Sequence, residues 1–173
     1  MTDAEKIERL GQLPVGRSKL MLYARPSQRT IRLMKERGVT MIVTAQSRFE
    51  SVKDIEKICT KHGLKHFWIE LCYANEDDLT KKATLKYLRK KVKELMVILQ
   101  DNEEVALIHC AAGLHRTGTL GYAILRLASP ETLSREEAYL ALKTLREDTW
   151  KHVGDWRIDV AERHLVKPIL EDR

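Results

Sequence analysis

A cysteine and an arginine, Cys110 and Arg116, enclose a short loop that contains a glycine, Gly113. An apolar run leads into this loop and a helix-like run leads out of it. A strand, a tight loop and a helix N-terminus form a cradle for anions, because several backbone N–H groups point at one spot and the helix dipole adds positive potential. Such a cradle favours the thiolate of a cysteine, and an arginine can fork onto two oxygens of a phosphoryl group. The spacing therefore predicts nucleophilic chemistry on a bound phosphoryl group.

Residues 109–118 read His-Cys-x5-Arg-Thr-Gly, and this pattern resembles the signature of the cysteine-dependent protein phosphatases, in particular their smaller, dual-specificity branch. The resemblance implies that Cys110 is the nucleophile, that it forms a phosphocysteine intermediate, and that Arg116 clamps the phosphate. It also implies that His109 orients the loop through hydrogen bonds. Thr117 is implied to donate a hydrogen bond to the cysteine sulfur, which helps the thiolate to leave in the second step.

The residues inside the loop are expected to bind the phosphoryl group through their backbone N–H groups. This set comprises Ala111, Ala112, Gly113, Leu114, His115 and Arg116. His115 either adds positive charge at the rim of the pocket or is merely exposed. A zinc site made from His109, Cys110 and His115 is not expected, since a closed structural site needs four ligands. We therefore expect neither a metal ion nor another cofactor.

Phosphoryl transfer also needs an acid that protonates the leaving group. The resemblance places this acid on a loop after a strand, in the window that holds Glu76, Asp77 and Asp78. Asp77 is the expected acid, with Asp78 second and Glu76 third. The match to the family is not clean here, because Asn75 can fall on the acid position of some branches. Asp77 or Asp78 can instead cap the helix that follows, where aspartate is favoured.

The chain has three cysteines, and an odd count argues against a disulfide framework and for a reducing compartment. The expected location is the cytoplasm, with the nucleus as an alternative. Cys72 lies near the acid loop, and in some relatives a second cysteine forms a reversible disulfide with the nucleophile. The alternative for Cys72 is a plain buried cysteine, and Cys59 is expected to lie in the core.

Strand-like and helix-like runs alternate along the chain, which predicts an α/β fold with a central, mostly parallel, twisted sheet and helices on both faces. Strands are expected at 20–23, 39–44, 66–71 and 105–109, and helices at 27–37, 52–62, 79–100 and from Asp155 to about Val166, ending near Pro168. The phosphate-binding loop follows a central strand and precedes a helix, where open α/β sheets place their ligands. The length of 173 residues predicts a single domain, 1–173, with its core at about 20–168.

The net charge of +6 is concentrated in the lysines and arginines of residues 81–93, whose apolar neighbours recur with helical spacing. These cations form either the solvated face of an amphipathic helix or a face that docks a partner. Aromatic residues hardly alternate with them, so no nucleic-acid partner is expected. No apolar run approaches the length of a membrane span and neither terminus carries a lipidation motif, so no membrane anchor is expected. The oligomeric state is left open.

The leading functional hypothesis is a phosphomonoester hydrolase that acts on phosphotyrosine proteins, with phosphoserine and phosphothreonine proteins as an extension. The interior of the loop contains no lysine, whereas phosphoinositide phosphatases of the superfamily often carry lysines there. The alternatives are an inositol phosphate, phosphoinositide or RNA 5′-phosphate substrate, and a catalytically inactive phosphate-binding module. A sulfurtransferase also places a cysteine loop after a strand, but the Arg-Thr-Gly ending argues against that class.

Overall fold

Parallel strands and one antiparallel edge strand form the sheet at the centre of the computed structural model, which describes residues 2–72 and 75–172. The strands are β1 Leu13–Val15, β2 Ser18–Tyr23, β3 Met41–Ala45, β4 Lys65–Ile69 and β5 Val105–His109. Their spatial order is β1-β2-β5-β3-β4, and within this sheet only β1 runs antiparallel to its neighbour. Since β5 lies in the middle, between β2 and β3, the loop that follows it opens at the centre of the carboxyl edge.

Helices connect the strands and complete the chain after the last strand. They are α1 Asp3–Glu8, α2 Gln28–Glu36, α3 Val52–His62, α4 Glu76–Thr80, α5 Lys82–Asp101, α6 His115–Ala128, α7 Arg135–Leu145, α8 Glu147–Val153, α9 Asp155–Ala161, a π-helical turn Glu162–Val166 and α10 Lys167–Glu171. Within the two described ranges, none of these helices combines the length and the apolar character that crossing a bilayer requires.

Alternate residues of the strands supply two hydrophobic cores, one on each face of the sheet. In β5, Ile108 belongs to the larger core and Leu107 to the smaller one, and both are fully buried. The larger core also contains residues of α4 to α10, and the smaller core contains residues of α1 to α3, including Cys59. Burial on both faces explains why β5 reads as an unbroken apolar run instead of an alternating one.

The predicted α/β fold with a mostly parallel sheet is confirmed. Each predicted strand forms: β5 has the expected ends, and the ends of β2, β3 and β4 differ from those expected by at most two residues. The helix Val52–His62 has the expected bounds, and Gly63 ends it with a φ of 66°. Both faces of the sheet are covered, because each core is closed by its own set of helices.

Two helices differ from the sequence prediction. The single helix predicted over 79–100 is split into α4 and α5, because the backbone of Lys81 is extended, with a φ of −56° and a ψ of 129°. The final helix is predicted to end near Pro168, but the chain continues through the π-helical turn into α10. Pro168 lies in the first turn of α10, where its missing N–H costs little.

The elements α1 and β1 have no counterpart in the sequence prediction. The amide of Glu5 donates to the side chain of Thr2, and the Glu5 carboxylate accepts from the Thr2 amide over 2.6 Å. This Thr-x-x-Glu pattern is a capping box, so the signal for α1 is present in the sequence. β1 is a three-residue edge strand that contains Pro14, and proline is common on edge strands because it cannot donate to a second neighbour.

Candidate active site

The chain between β5 and α6 turns sharply at Gly113, which has a φ of 69°. A Cβ atom at this position would lie 2.3 Å from the backbone oxygen of Tyr23, so no side chain fits. The Gly113 amide donates a hydrogen bond to Sγ of Cys110 over 3.2 Å. Cys110 is only 3% exposed. The turn thus places the sulfur against a backbone amide, just before the N-terminus of α6.

The outer side of this loop is held by two side chains that the sequence analysis missed. The carbonyl oxygen of Gly113 accepts hydrogen bonds from Nη1 of Arg146 and from the hydroxyl of Thr149, each over 2.6 Å. Arg146 also donates to the carbonyl of Ala112 over 3.3 Å. Since the C=O and N–H of one peptide unit point in opposite directions, fixing the carbonyls outward turns the loop amides toward the sulfur side. Nothing in the sequence near Arg146 or Thr149 marks them for this role.

Thr117 lies in the first turn of α6 and is fully buried. Its hydroxyl makes no hydrogen bond to any of the described residues. The predicted hydrogen bond from Thr117 to the Cys110 sulfur is therefore not formed in this structure, in which the Gly113 amide donates to the sulfur. A buried hydroxyl without a partner costs about 1–3 kcal/mol, and such groups are expected where function requires them.

Arg116 is bound by a carboxylate that the sequence analysis did not identify. Its Nη1 donates to Oε2 of Glu50 over 2.6 Å, and its Nη2 donates to Oε1 over 2.9 Å. The hydrogen bonds from Arg116 lower the pKa of Glu50 to about 2. Glu50 follows the carboxyl end of β3, the strand beside β5, and this placement is the signal that could have pointed to it.

Two backbone carbonyls complete the surroundings of the Arg116 guanidinium. Nη1 also donates to the carbonyl oxygens of Leu71 over 2.9 Å and Cys72 over 3.2 Å. The Cys110 side chain is a further hydrogen-bond partner of Arg116. The edge of the guanidinium formed by Nε and Nη2 has the fork geometry that fits two phosphoryl oxygens.

The segment that carries Glu50 is itself tightly held. Arg25 donates to the side-chain oxygen of Gln46 over 2.8 Å, to the backbone oxygen of Glu50, and to the backbone oxygen of Ser51 over 3.0 Å. Ser51 has a φ of 55°, a conformation that no other described non-glycine residue adopts. Such strain persists only where neighbouring contacts over-determine it, and it clusters at functional sites. In the same segment, Phe49 is 89% exposed.

His109 is fully buried at the end of β5. Its Nδ1 lies 3.1 Å from the carbonyl oxygen of Cys110, and its Nε2 lies 2.9 Å from the hydroxyl of Thr44. Burial lowers the pKa of His109 to about 4. The imidazole is therefore neutral near pH 7, and its contacts are those expected of a residue that orients the loop.

The predicted acid loop lies beside Arg116, because the carbonyls of Leu71 and Cys72 bind that guanidinium. Tyr73 and Ala74, which complete this loop, lie outside the described residues. Asn75 is the N-cap of α4, and its side chain accepts from the amide of Asp78 over 2.9 Å. The expectation that Asp77 or Asp78 caps a helix is thus wrong, because Asn75 precedes both of them and takes the cap.

The three candidate acids differ in their surroundings. The Asp78 carboxylate accepts hydrogen bonds from Lys81 over 2.5 Å and from the Asn75 side chain over 2.7 Å. These bonds lower the pKa of Asp78, with the bond from Lys81 contributing most. A general acid must hold its proton, so this environment disfavours Asp78. Glu76 and Asp77 are both exposed in the first turn of α4.

His115 and Cys72 lie at the surface beside the loop. His115 is exposed, and its pKa is lowered first by partial desolvation and then by Arg157, His152 and Arg116. His115 is therefore exposed, as one of the two expectations has it, and its lowered pKa disfavours the other, in which His115 itself adds positive charge. Cys72 is exposed and not buried. Its reversible disulfide with Cys110 stays a prediction.

Nowhere in the two described ranges do three or more histidine, cysteine, aspartate or glutamate residues cluster in a way that would hold a metal ion. The donors around the loop are instead backbone amides and the Arg116 guanidinium. This arrangement can bind a tetrahedral oxyanion and present a sulfur nucleophile to it.

Comparison with known proteins agrees with this geometry. The sequence model of a family described as tyrosine phosphatase family matches residues 23–161. Because that match covers most of the chain, the protein belongs to the tyrosine phosphatase family. A search of curated protein sequences found no significant match.

Several solved structures share the fold. The core catalytic domain of the PP-IP phosphatase SIW14 from S. cerevisiae is 19% identical, with a TM-score of 0.63, over 92% of this chain and 88% of that one. TpbA from P. aeruginosa is 13% identical, with a TM-score of 0.62, over 95% and 96% of the two chains. A kinase-associated phosphatase carrying a cysteine-to-serine substitution at its catalytic site is 18% identical, with a TM-score of 0.58, over 90% and 98%. At these identities the likeness establishes the fold alone.

Proposed function

We propose that the protein is a cysteine-dependent phosphomonoester hydrolase that removes phosphate from phosphotyrosine proteins, with phosphoserine and phosphothreonine proteins as further substrates. The observation that carries this proposal is the Cys110 sulfur in its loop of backbone amides, followed six positions later by an arginine that Glu50 holds by a bidentate pair. The Nε edge of Arg116 is the proposed fork for two phosphoryl oxygens.

In the first step the Cys110 thiolate attacks phosphorus and the bond from phosphorus to the leaving oxygen breaks. The leaving oxygen takes a proton, for which Asp77 is the proposed donor. The negative charge that spreads over the phosphoryl oxygens is met by the loop amides and by Arg116, and this electrostatic stabilisation is the main source of rate enhancement in such sites.

In the second step a water molecule attacks the phosphocysteine, and the Asp77 carboxylate takes a proton from that water. The sulfur–phosphorus bond breaks and its electron pair returns to Cys110. The buried hydroxyl of Thr117, which has no partner among the described residues, is the proposed hydrogen-bond donor to the departing thiolate. Inorganic phosphate then leaves, and no metal ion takes part in the proposed scheme.

The choice of a protein substrate is supported by two features near the loop. The loop interior contributes no lysine that would meet a second phosphate. Phe49, next to Glu50 in sequence, is a large apolar side chain that stays 89% exposed on a tightly held segment. An aromatic side chain in this position offers a large apolar surface for packing against a bound polypeptide.

A second candidate is an inositol phosphate or phosphoinositide substrate. It is favoured by Arg157 and His152, which lie close enough to His115 beside the loop to lower its pKa. One structural neighbour, SIW14, is described as a PP-IP phosphatase, although its identity to this chain is only 19%.

The test compares kcat/KM for a phosphotyrosine peptide, a generic aryl phosphate, and soluble inositol phosphates. The expected result is turnover of both aryl substrates, a preference for the peptide over the inositol phosphates, and loss of all turnover in Cys110→Ser. A strong preference for inositol phosphates would replace the first candidate by the second. Wild-type protein that binds phosphate analogues but hydrolyses none of the substrates would instead be a phosphate-binding module.

A further inference from the structure

Thr44 stands between two imidazole rings in the centre of the sheet. Its hydroxyl oxygen lies 2.9 Å from Nε2 of His109 and 2.9 Å from Nε2 of His66. Thr44 and His109 are fully buried on neighbouring strands, whereas His66 on β4 is only partly buried. A continuous line of hydrogen bonds therefore runs from a partly exposed ring across β3 to the residue that precedes the nucleophile.

Proton counting determines the direction of every hydrogen bond in this line. Neutral His109 has one N–H, and its Nδ1 faces the carbonyl oxygen of Cys110, which can only accept. The proton must therefore be on Nδ1, and Nε2 of His109 must accept. A hydroxyl has a single proton, so Thr44 donates it to His109 and can only accept from His66. His66 must then carry its proton on Nε2.

The charges around the two rings are compatible with this assignment. Burial lowers the pKa of His109 to about 4, and the cations Arg25 and Arg116 act in the same direction. Burial also lowers the pKa of His66, while Glu56 on α3 opposes this effect. Protonation of His66 keeps a proton on its Nε2, so the line of donors survives in both charge states of that ring.

We propose that Thr44 and His66 are positioning residues of the active site, which hold His109 in its Nδ1–H form and thereby fix the carbonyl of Cys110. The direction of that carbonyl sets the orientation of the peptide unit that joins Cys110 to the loop. The orientation of this peptide unit in turn sets the direction of the following loop amides. In the proposed function, those amides hold the sulfur and the phosphoryl oxygens. This inference rests on the proposed phosphatase function, and it adds two residues on β3 and β4 to the machinery of the loop.

The first test reads the protonation of the rings directly and does not depend on turnover. Nitrogen-15 spectra of histidine-labelled protein near pH 7 should show His109 protonated on Nδ1 and His66 protonated on Nε2. The resonances are assigned with His66→Gln and with the remaining single histidine variants. The opposite form of either ring would overturn the proposal, even if the protein hydrolyses no substrate.

The second test compares substitutions of two threonines, Thr44 on β3 and Thr40 just before β3 begins. Thr44→Val keeps the shape of the side chain but removes the hydroxyl, so kcat for an aryl phosphate should fall about tenfold with little change in KM. Thr44→Ser restores the hydroxyl and should recover activity to within about twofold of wild type. Thr40→Val is the control, because it removes a hydroxyl bonded to Glu104 and to the Val105 amide at the opposite end of the sheet.

Substitutions at His66 test whether this residue acts on His109 through the Thr44 hydroxyl. His66→Phe removes the donor to Thr44 but leaves the Thr44 hydroxyl free to serve His109, so its loss of kcat should be smaller than that of Thr44→Val. His66→Gln keeps an N–H donor at a similar distance from the backbone, so its kcat should be closer to that of wild type than the kcat of His66→Phe. Wild-type kcat in folded Thr44→Val, or an equal loss in Thr40→Val, would reduce the line to a purely structural feature and contradict the proposal. If Thr44→Val does not fold, the comparison of His66→Phe with His66→Gln decides the question.

Discussion

The ion pair between Glu50 and Arg116 fixes the position of the guanidinium within the folded protein. Two parallel hydrogen bonds of 2.6 and 2.9 Å hold one end of the fork, and the Arg116 side chain is only 12% exposed. Arginine side chains lose considerable rotamer freedom when they bind a ligand. Because the pair already orders the side chain within the folded protein, less rotamer freedom would be lost when the proposed phosphoryl group binds.

Glu50→Gln should lower kcat/KM for an aryl phosphate by about tenfold, since a neutral amide holds the guanidinium less firmly. The expected change lies in transition-state binding, so it should appear in kcat as well as in KM. Steady-state kinetics of the variant check this. Glu70→Gln is a suitable control, because it weakens another arginine–glutamate pair, with Arg48, at the surface. Unchanged kinetics in Glu50→Gln would remove Glu50 from the active site.

The same carboxylate makes stability depend on pH. The pKa of Glu50 is about 2 in the folded protein against an ordinary value of 4.5. Because the pKa of Glu50 is lowered in the folded protein, its ionised carboxylate contributes its full stabilisation above about pH 4.5. This contribution is lost as the pH falls toward 2. Thermal melting of wild type and Glu50→Gln across this window should show a steeper decline for wild type. Parallel curves for the two proteins would contradict the assignment.

The identity of the general acid that protonates the leaving group can also be tested with single substitutions. A general acid must be protonated to act, so wild-type activity should fall on the alkaline side as the acid loses its proton. Asp77→Asn should lower kcat/KM by about a hundredfold at the pH optimum and remove this alkaline decline. Asp78→Asn should keep the decline, because Asp78 is engaged with Lys81 and Asn75. If only Asp78→Asn flattens the profile, the assignment is off by one position.

At the scale of elements, the loop between β5 and α6 depends on its turn at Gly113. This residue combines a positive φ with the close approach of the Tyr23 backbone from the end of β2. The backbone of β2 therefore restricts position 113 to glycine, in addition to the restriction from the positive φ of the turn. The Arg146 and Thr149 side chains then hold the Gly113 carbonyl from the other side.

Gly113→Ala should abolish most activity, because the new Cβ would meet the Tyr23 oxygen at 2.3 Å and the loop would have to move. Gly38→Ala is the matched control. Gly38 also has a positive φ, of 92°, but no atom lies within 4 Å of the point where a Cβ would sit, so it reports backbone strain without the clash. Aryl phosphate turnover and melting temperature of the two variants separate the effects. Equal loss of activity in both would mean that the clash with Tyr23 plays no part.

At the scale of the whole molecule, a buried ion pair connects the helix after the catalytic loop to the C-terminal part of the chain. The Glu162 carboxylate at the start of the π-helical turn accepts from Arg126 and from the hydroxyl of Tyr122, both on α6. Arg126 also donates to the carbonyl of Leu133 over 2.7 Å, which ties down the connection to α7. The position of α6, and with it the N-terminus that faces the sulfur, thus depends on residues far along the chain.

Glu162→Gln should destabilise the protein by about 3 kcal/mol, because it leaves a buried guanidinium without its counterion. For a chain of this length that corresponds to a fall of about 6–12 °C in melting temperature. Glu103→Gln, in an exposed pair with Arg17, should have almost no effect. Calorimetry of both variants provides the measurement, and equal melting temperatures would show that the buried pair contributes no more than a surface pair.

The fold class and the position of the candidate phosphate-binding loop could be predicted from the sequence because their signals are local. The spacing of Cys110, Gly113 and Arg116 is set by one tight turn, and the alternation of strands and helices is set by the periodicity of apolar side chains. The split of the helix at Lys81 was missed, because helical spacing of apolar residues continues across the break. The helix α1 was missed although the Thr2–Glu5 capping box marks its start.

The partners of the loop were decided only by the tertiary structure. These partners come from three other parts of the chain: Thr44 and Glu50 from β3 and the residues after it, His66 from β4, and Arg146 and Thr149 from the start of α8. Which strand lies beside β5, and how far each side chain reaches across the sheet, depends on packing of the whole core and leaves no periodic mark in the sequence. The sequence by itself determined which residues are the candidates for the chemistry, because that chemistry belongs to residue types at short spacing. The tertiary structure determined what holds those residues in place, because strand order brings distant residues within hydrogen-bond distance.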